Sequence, residues 1–360
     1  MRCAILTFHT AHNYGAVLQA YALKHYMESL GYNADFVNFA PSEVNNIYSI
    51  NPFKRPCGLK RIVKRVICLP KRIVQYAKFN SFIRYELSSG TSCDDQDKYL
   101  ESSNAADVLI CGSDQIWNDN LTGKIGNYYF SGVKEKKKIA YAASFGSRIL
   151  DDFQRECIKK FLPDFCAVSL REEDGRQTIQ ELTGIHVNTV MDPVFLIDIA
   201  TWNALAEKST LSIKEPYILF YSLKDNELLV QRTEELAKKT NCKLIVVHPI
   251  GAKQKIKGHQ IYNVGPYEFL RLIRDARYVC TNSFHATAFS ILFRKNYLHV
   301  RDDSKETRVE SLLNRIGGYL TSTRECEFDI LKLDKLDSST LDIAIDESRK
   351  FLLNSLEEKR

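Results

Sequence analysis

Short apolar runs alternate with helical patterns along almost the whole chain, and the series occurs twice. Residues 3–8 read as a buried strand, 15–30 as a helix stopped by Gly31, and 35–39 as a second strand. After an interruption come strands at 108–111 and 138–143, a helix at 151–162, a strand at 167–170, a helix at 173–182 and a strand at 187–191. A second series has strands at 217–222, 243–247, 278–280 and 296–300, with helices at 227–240, 266–274, 283–293 and 306–316. Strands joined by helices predict parallel sheets, so the fold class is α/β. The expected units are 1–195 and 215–338, with a linker at 196–214 and a long amphipathic helix at 339–360. The length of 360 residues suits two domains of about 150 each. Such an arrangement places a ligand in the cleft between the halves, beyond the carboxyl ends of the strands.

Composition narrows the class further. Hydrophobic residues at 44% and charged residues at 26% fit a globular protein and exclude overall disorder. No apolar run reaches the roughly 20 residues of a membrane span. The first nine residues lack the apolar core of about 7–15 residues that a secretory leader needs, so a cytoplasmic location is expected. The ten cysteines are scattered, with no C-x-x-C, which argues against a zinc ribbon or a thioredoxin motif. Cys111 and Cys280 lie in apolar runs and read as core residues. The Asp95-Gln96-Asp97 triplet does not read as a metal site, and no H-E-x-x-H, G-x-S-x-G or Walker loop occurs.

The net charge of +6 is uneven. No acidic residue lies between Glu43 and Glu86, whereas ten Lys and Arg do, so the rest of the chain is net negative. Within this insertion, at 54–85, Leu59, Ile62, Val63, Val66 and Ile67 share one helical face and Lys60, Arg61, Lys64 and Arg65 the other. The pattern predicts a basic amphipathic helix over 59–69, ending near Pro70. Two readings stand: its apolar face packs on the core, or it lies on an anionic membrane surface. No helix-turn-helix, zinc-finger or RNP pattern points to nucleic acid.

Polar residues just beyond a buried strand face the ligand crevice. After the first strand comes His9-Thr10-Ala11-His12-Asn13-Tyr14-Gly15-Ala16. Gly15 at a helix start lets backbone N–H groups approach an anion, while Asn13 equally reads as an ordinary cap. After 108–111 come Gly112, Ser113, Asp114, Gln115, Ile116, Trp117 and Asn118. Asp114 can serve as a general base or position a hydroxyl; Ser113 or Asp114 can also simply cap a helix. Arg171 stands at a strand end, placed to clamp a carboxylate or phosphate, or to pair with Glu172 or Asp174. Asp192 precedes Pro193 at another strand end and also reads as a turn former. In the second half, Asn282 or Ser283 caps a helix whose free N–H groups offer an anion site. His285 sits in its first turn, suited to proton transfer or to a structural hydrogen bond.

Taken in order, these segments resemble a known family. They are N-Y-G-A-x-L-Q-A-Y-A-L at 13–23, A-D-V-L-I-C-G-S-D-Q-I-W-N at 106–118 and I-A-Y-A-A-S-F-G at 139–146. V-S-L-R-E-x-D-G at 168–175, M-D-P-V-F-L at 191–196 and T-N-S-F-H-A-T-A-F-S-I at 281–291 follow, with R-x-E-S-L-L-N-R-I-G at 308–317. The series resembles the polysaccharide pyruvyl transferase family. The resemblance implies a GT-B-like fold, two Rossmann-like domains with parallel sheets facing a central cleft. It implies transfer of the pyruvyl group of phosphoenolpyruvate onto a sugar of a cell-surface polysaccharide precursor, such as a capsule or exopolysaccharide unit, forming a ketal. By the motifs, Arg171 and His285 carry donor binding and catalysis; Ala286 stands where the family usually has Gly. Asp114 is the candidate base toward the acceptor hydroxyl. Asn13, Gly15, Gly112, Ser113, Gln115, Trp117, Ser144, Asp192, Asn282 and Ser283 are candidate substrate-binding residues. No metal or redox cofactor is required, phosphoenolpyruvate being the donor substrate. The expected acceptor is a sugar, lipid-linked in one reading and met at the inner membrane face. Two alternatives share the scaffold: a glycosyltransferase using a nucleotide sugar, and a binding protein without turnover.

Overall fold

Two sheets organise the molecule, seen here in a computed structural model. It describes residues 1–51, 69–89, 93–223, 225–249, 254–298, 307–317, 322–323, 330–332 and 338–358. The first sheet holds β1 (Arg2–Leu6), β2 (Asn33–Phe36), β3 (Val108–Cys111), β4 (Lys137–Ala143), β5 (Ala167–Leu170) and β6 (Val187–Thr189). Their order is β2-β1-β3-β4-β5-β6, all parallel. The second sheet holds β7 (Tyr217–Tyr221), β8 (Lys243–Val247), β9 (His259–Ile261), β10 (Tyr278–Thr281), β11 (Asn296–Leu298), β12 (Ser322–Thr323) and β13 (Ile330–Lys332). Its order is β12-β13-β11-β10-β7-β8-β9, parallel from β11 to β9, with β13 and β12 added antiparallel. Strands covered on both faces must be apolar throughout, and β3 and β7 are buried at every position. Strand order reverses between β1 and β3, which opens a crevice at their carboxyl ends.

Several boundaries differ from the sequence reading. β2 ends at Phe36 and β6 at Thr189, and the helix expected from residue 173 begins at Arg176. The segment 196–214 is no plain linker: a 3-10 turn, Pro193–Phe195, leads into the helix Ile199–Glu207. Trp202, fully buried, sits 5.8 Å from Tyr21 and 4.8 Å from Phe289, and its Nε1 donates to the Val194 carbonyl at 3.0 Å. A segment that buries an indole between the halves is part of the core. Pro70 lies in the first turn of the helix Leu69–Glu86, where a missing N–H costs little. The basic run at 59–67 lies outside the described residues.

The helix Leu69–Glu86 joins the halves. Gln75 donates to the Tyr14 hydroxyl and to the Val264 carbonyl; Lys78 pairs with Glu268; Glu86 accepts from Lys208 and Tyr267. Tyr14 stacks on Phe269 with centroids 4.2 Å apart and donates its hydroxyl to Val264. The C-terminal helix Ser338–Glu357 returns to the first sheet. There Ser348 accepts from Met191 N–H, and Arg349 donates to the Leu196 carbonyl. One apolar cluster runs from Ile5 and Val108 through Tyr14 and Trp202 to Leu219 and Val279. The halves therefore pack on one another through a shared core and bridging polar contacts. Among the described residues the cysteines are free, and no helix is long and apolar enough to cross a membrane.

Candidate functional site

Arg171, Asp192 and His285 meet where the two sheets face one another. Arg171 leaves the end of β5, and its Nη1 donates to Asp192 Oδ2 at 2.9 Å. Asp192 stands just beyond β6, fully buried. Its Oδ2 also accepts from the Ser113 hydroxyl at 2.9 Å, and its Oδ1 accepts from Val194 N–H at 3.1 Å. His285 comes from the second half, in the first turn of the helix Phe284–Leu292, with Nε2 3.4 Å from Asp192 Oδ2. The Phe284 ring lies under the Arg171 guanidinium, 4.2 Å from Cζ, so both halves hold that side chain. Asp192 thus does both things its sequence context allowed. It starts the turn at Pro193 and anchors an arginine and a histidine.

Two more carboxylates approach Arg171 without hydrogen bonding to it. Asp114 Oδ1 is 3.9 Å from Nη2, and Glu172 Oε2 is 3.7 Å from Nε. Arg171 Nε and Nη2, Glu172 Oε2 and His285 Nε2 are all buried without a hydrogen-bond partner. Burial alone would lower the Arg171 pKa, but the fields of Asp192, Glu172 and Asp114 outweigh it and raise it. Burial would likewise raise the Asp192 carboxyl. Its neighbours His285 and Arg171 prevail and hold it well below the usual carboxylate range. Glu172 goes the other way: desolvation lifts its pKa against the pull of Arg171, the Ser144 hydroxyl and Arg308.

Two helix N-termini converge here. Asn13 caps the helix Tyr14–Ser29 by accepting from Gly15 and Ala16 N–H, and Ser283 caps the helix Phe284–Leu292 by accepting from Ala286 N–H. A Cβ on Gly15 would lie 2.0 Å from His285 Nδ1, so only glycine lets the helix start and the imidazole touch. The two positive helix ends offset part of the carboxylate charge. Asp114 takes a left-handed φ of 74° and pairs with Ala143 as an isolated bridge, beside an irregularity in β4 at Ala142. Its Oδ1 accepts from Gln115 N–H at 2.9 Å, so neither it nor Ser113 caps a helix.

Other sequence candidates make contacts within the protein. Trp117 is corrected from substrate contact to core: it is buried, stacks on Tyr129 at 5.0 Å, and donates Nε1–H to the Tyr128 carbonyl. A bulky aromatic after a strand packs inward here because a hydrophobic cluster lies directly beneath the loop. Gly112 fits against Thr7 and Leu23, and Ser144 accepts from Gly146 N–H. Gln115, half-buried, accepts from Asn118. Asn282 is spent on Leu223 N–H, leaving the cap to Ser283. Asp95 caps the helix Gln96–Asn104. His9 and His12 are buried structural groups whose pKa values burial pushes down to about 4. Among the described residues no His, Cys, Asp and Glu side chains gather into a metal-ligating group. Sequence reasoning passed over Phe284, inside the S-F-H motif, and Glu172, which it took as a mere ion-pair partner.

Two stability outcomes follow. Asp192→Asn leaves the buried Arg171 guanidinium without its hydrogen-bonded counter-charge and should cost about 3–5 kcal/mol at pH 7. Because the folded carboxyl titrates below the unfolded value of about 3.9, that difference persists above the usual range and shrinks as pH falls below it. Urea unfolding of both chains across pH checks it; a gap that widens in acid would refute the pairing. Gly15→Ala would gain about 0.5–1 kcal/mol if helix propensity decided the outcome. The contact with His285 predicts instead a loss of about 1–3 kcal/mol, read by the same unfolding curves.

The sequence matches the profile of the polysaccharide pyruvyl transferase family over residues 13–304. No curated protein matches the chain. Among solved structures, one assigned as a UDP-N-acetylglucosamine 2-epimerase from Listeria monocytogenes aligns with a TM-score of 0.54 at 11% identity. The alignment covers 100% of this chain and 97% of that one. The UDP-GlcNAc 2-epimerase from Neisseria meningitidis, bound to UDP-GlcNAc, gives 0.49 at 11% identity, covering 100% of both chains. The first likeness is one of fold: a GT-B architecture of two Rossmann-like halves with parallel sheets. The family match spans most of the chain and nearly every strand end that builds the cluster. The chain therefore belongs to the polysaccharide pyruvyl transferase family.

Proposed function

We propose that this protein transfers the pyruvyl group of phosphoenolpyruvate to a sugar acceptor and closes a ketal on it. The observation that carries the reading is the Arg171 guanidinium, fully buried yet with Nε and Nη2 lacking hydrogen-bond acceptors, beside a His285 Nε2 that has only a long contact, 3.4 Å, to Asp192 Oδ2. Buried donors are almost always satisfied, and an anion between the two would satisfy them. Phosphoenolpyruvate has two anionic groups. In this reading Arg171 holds one bidentately, and His285 with the helix start behind it takes the phosphate. Asp192 fixes the orientation of both.

The chemistry needs a proton at the methylene carbon, and an oxocarbenium-like centre then develops at the neighbouring carbon. One acceptor hydroxyl attacks it, and a second displaces phosphate to close the ring. His285 protonates the departing phosphate, and Asp114 serves as base toward an acceptor hydroxyl. Each such group contributes roughly 10²–10⁴-fold. The fold likeness leaves a nucleotide-sugar-dependent transferase as the second reading. Thermal unfolding with phosphoenolpyruvate and with nucleotide sugars separates the two. Ligand at about 100 times its dissociation constant adds roughly 2.7 kcal/mol, or several degrees in this size range. The expected shift occurs with phosphoenolpyruvate and is lost in Arg171→Ala and His285→Ala; a shift with nucleotide sugars only would transfer the assignment to the second reading.

A lipid-linked acceptor at a membrane face is part of the proposal. Supporting it, the helix Leu69–Glu86 exposes Ile73 and Val74 next to a strongly basic segment. Sedimentation with anionic liposomes should retain the chain, and Gln at Lys60, Arg61, Lys64 and Arg65 should release it. Equal binding by both chains would count against membrane contact.

A further inference from the structure

Glu172 is an unusual neighbour for an anion-binding arginine. It follows Arg171 in the chain, is 2% exposed, and keeps Oε2 without a hydrogen-bond partner. The same side chain lines a groove of about 560 Å³ between the halves, whose other walls include Arg148, Asp174, Glu310, Ser311 and Asn314. Carboxylates, an amide and a hydroxyl are the groups that bind sugar hydroxyls, and the volume suits one or two hexose rings. Glu172 therefore stands between the cluster assigned to the donor and a groove fit for the acceptor.

We propose that the groove is the acceptor subsite and that Glu172 is the proton carrier of the addition step. This rests on the pyruvyl-transfer reading above. The Glu172 carboxyl gives its proton to the methylene carbon as the alkene pair forms the new C–H bond. The first acceptor hydroxyl bonds to the adjacent carbon and returns its proton to the Glu172 carboxylate. The second hydroxyl then forms its C–O bond as the carbon–phosphate oxygen bond breaks, and its proton leaves with phosphate. Two hydroxyl protons are spent, one in the new methyl group and one on phosphate, and Glu172 ends as it began. A neutral carboxyl also spares the bound trianion a like charge beside Arg171. The groups facing Glu172 are Arg171, Arg308, Ser144 and Asp174, and burial favours its neutral form.

The test uses the intact chain and its Glu172→Gln, Glu172→Asp and Asp114→Asn variants. Thermal stabilisation by phosphoenolpyruvate is measured first. Phosphate release from phosphoenolpyruvate is then followed with a panel of methyl hexopyranosides and with water alone, at stoichiometric protein. The expected result is an unchanged stabilisation in Glu172→Gln with release slowed at least about 100-fold, and partial recovery in Glu172→Asp. Release by the unchanged chain should fall as pH rises through the Glu172 ionisation, and the residual rate of Glu172→Gln should lack that fall. Release in Glu172→Gln within about threefold of the unchanged chain would overturn the assignment, and a loss confined to Asp114→Asn would move the proton to Asp114. Loss of phosphoenolpyruvate stabilisation in Glu172→Gln would make it a donor-site support instead. Stabilisation of the unchanged chain without release to any glycoside or water would also overturn it. Neither stabilisation nor release by the unchanged chain would instead remove the pyruvyl-transfer reading itself.

Discussion

The buried carboxylate of Asp192 is the contact on which the site depends. It collects Ser113 from the end of β3, Arg171 from the end of β5 and, at ion-pair distance, His285 from the opposite half. A charge taken out of water is costly unless it is paired and hydrogen-bonded, and this one has all of its oxygens engaged. Most of the cost of burying it is met within the first half, by Ser113, Arg171 and Val194, and His285 of the second half adds to it. The two halves share an apolar core through Tyr14 and Trp202, and the helix Leu69–Glu86 bonds to both.

Geometry around Arg171 separates positioning from chemistry. Both oxygens of Asp192 are engaged by donors of the protein; its work is orientation. Arg171 retains two nitrogens without acceptors, and its guanidinium is held by Asp192 on one edge and packed on the Phe284 ring. Gly15 brings a helix start directly against the imidazole, so positive partial charge from two helices converges on the same small volume. Three carboxylates near one guanidinium would repel an anionic donor if all were charged. The burial-raised Glu172 and the two helix ends lessen that repulsion.

Much of this was legible in the sequence, for physical reasons. The α/β class followed from strand-length apolar runs between helical ones, and Arg171, Asp192, Ser283 and His285, which the structure brings together, stood out because strand ends and helix starts are where an α/β fold exposes polar groups. Trp117 was misplaced because the same rule cannot tell a side chain that faces the crevice from one that turns under the loop. The helix within the expected linker was not legible because a helix start at Ile199 and a 3-10 turn at Pro193 leave little periodic signal before Trp202. Glu172 was dismissed because an Arg-Glu pair looks alike on paper whether exposed or, as here, 2% exposed. Burial is set by elements far away in the chain, and local pattern does not encode it.

A crystal structure of the intact chain grown with phosphoenolpyruvate tests the central claim most directly. The account predicts the donor between the halves, with one anionic group within hydrogen-bond distance of Arg171 Nη2 and the other reached by His285 Nε2. Density for the donor away from Arg171, or a cleft that admits a nucleotide sugar in its place and excludes phosphoenolpyruvate, would contradict it.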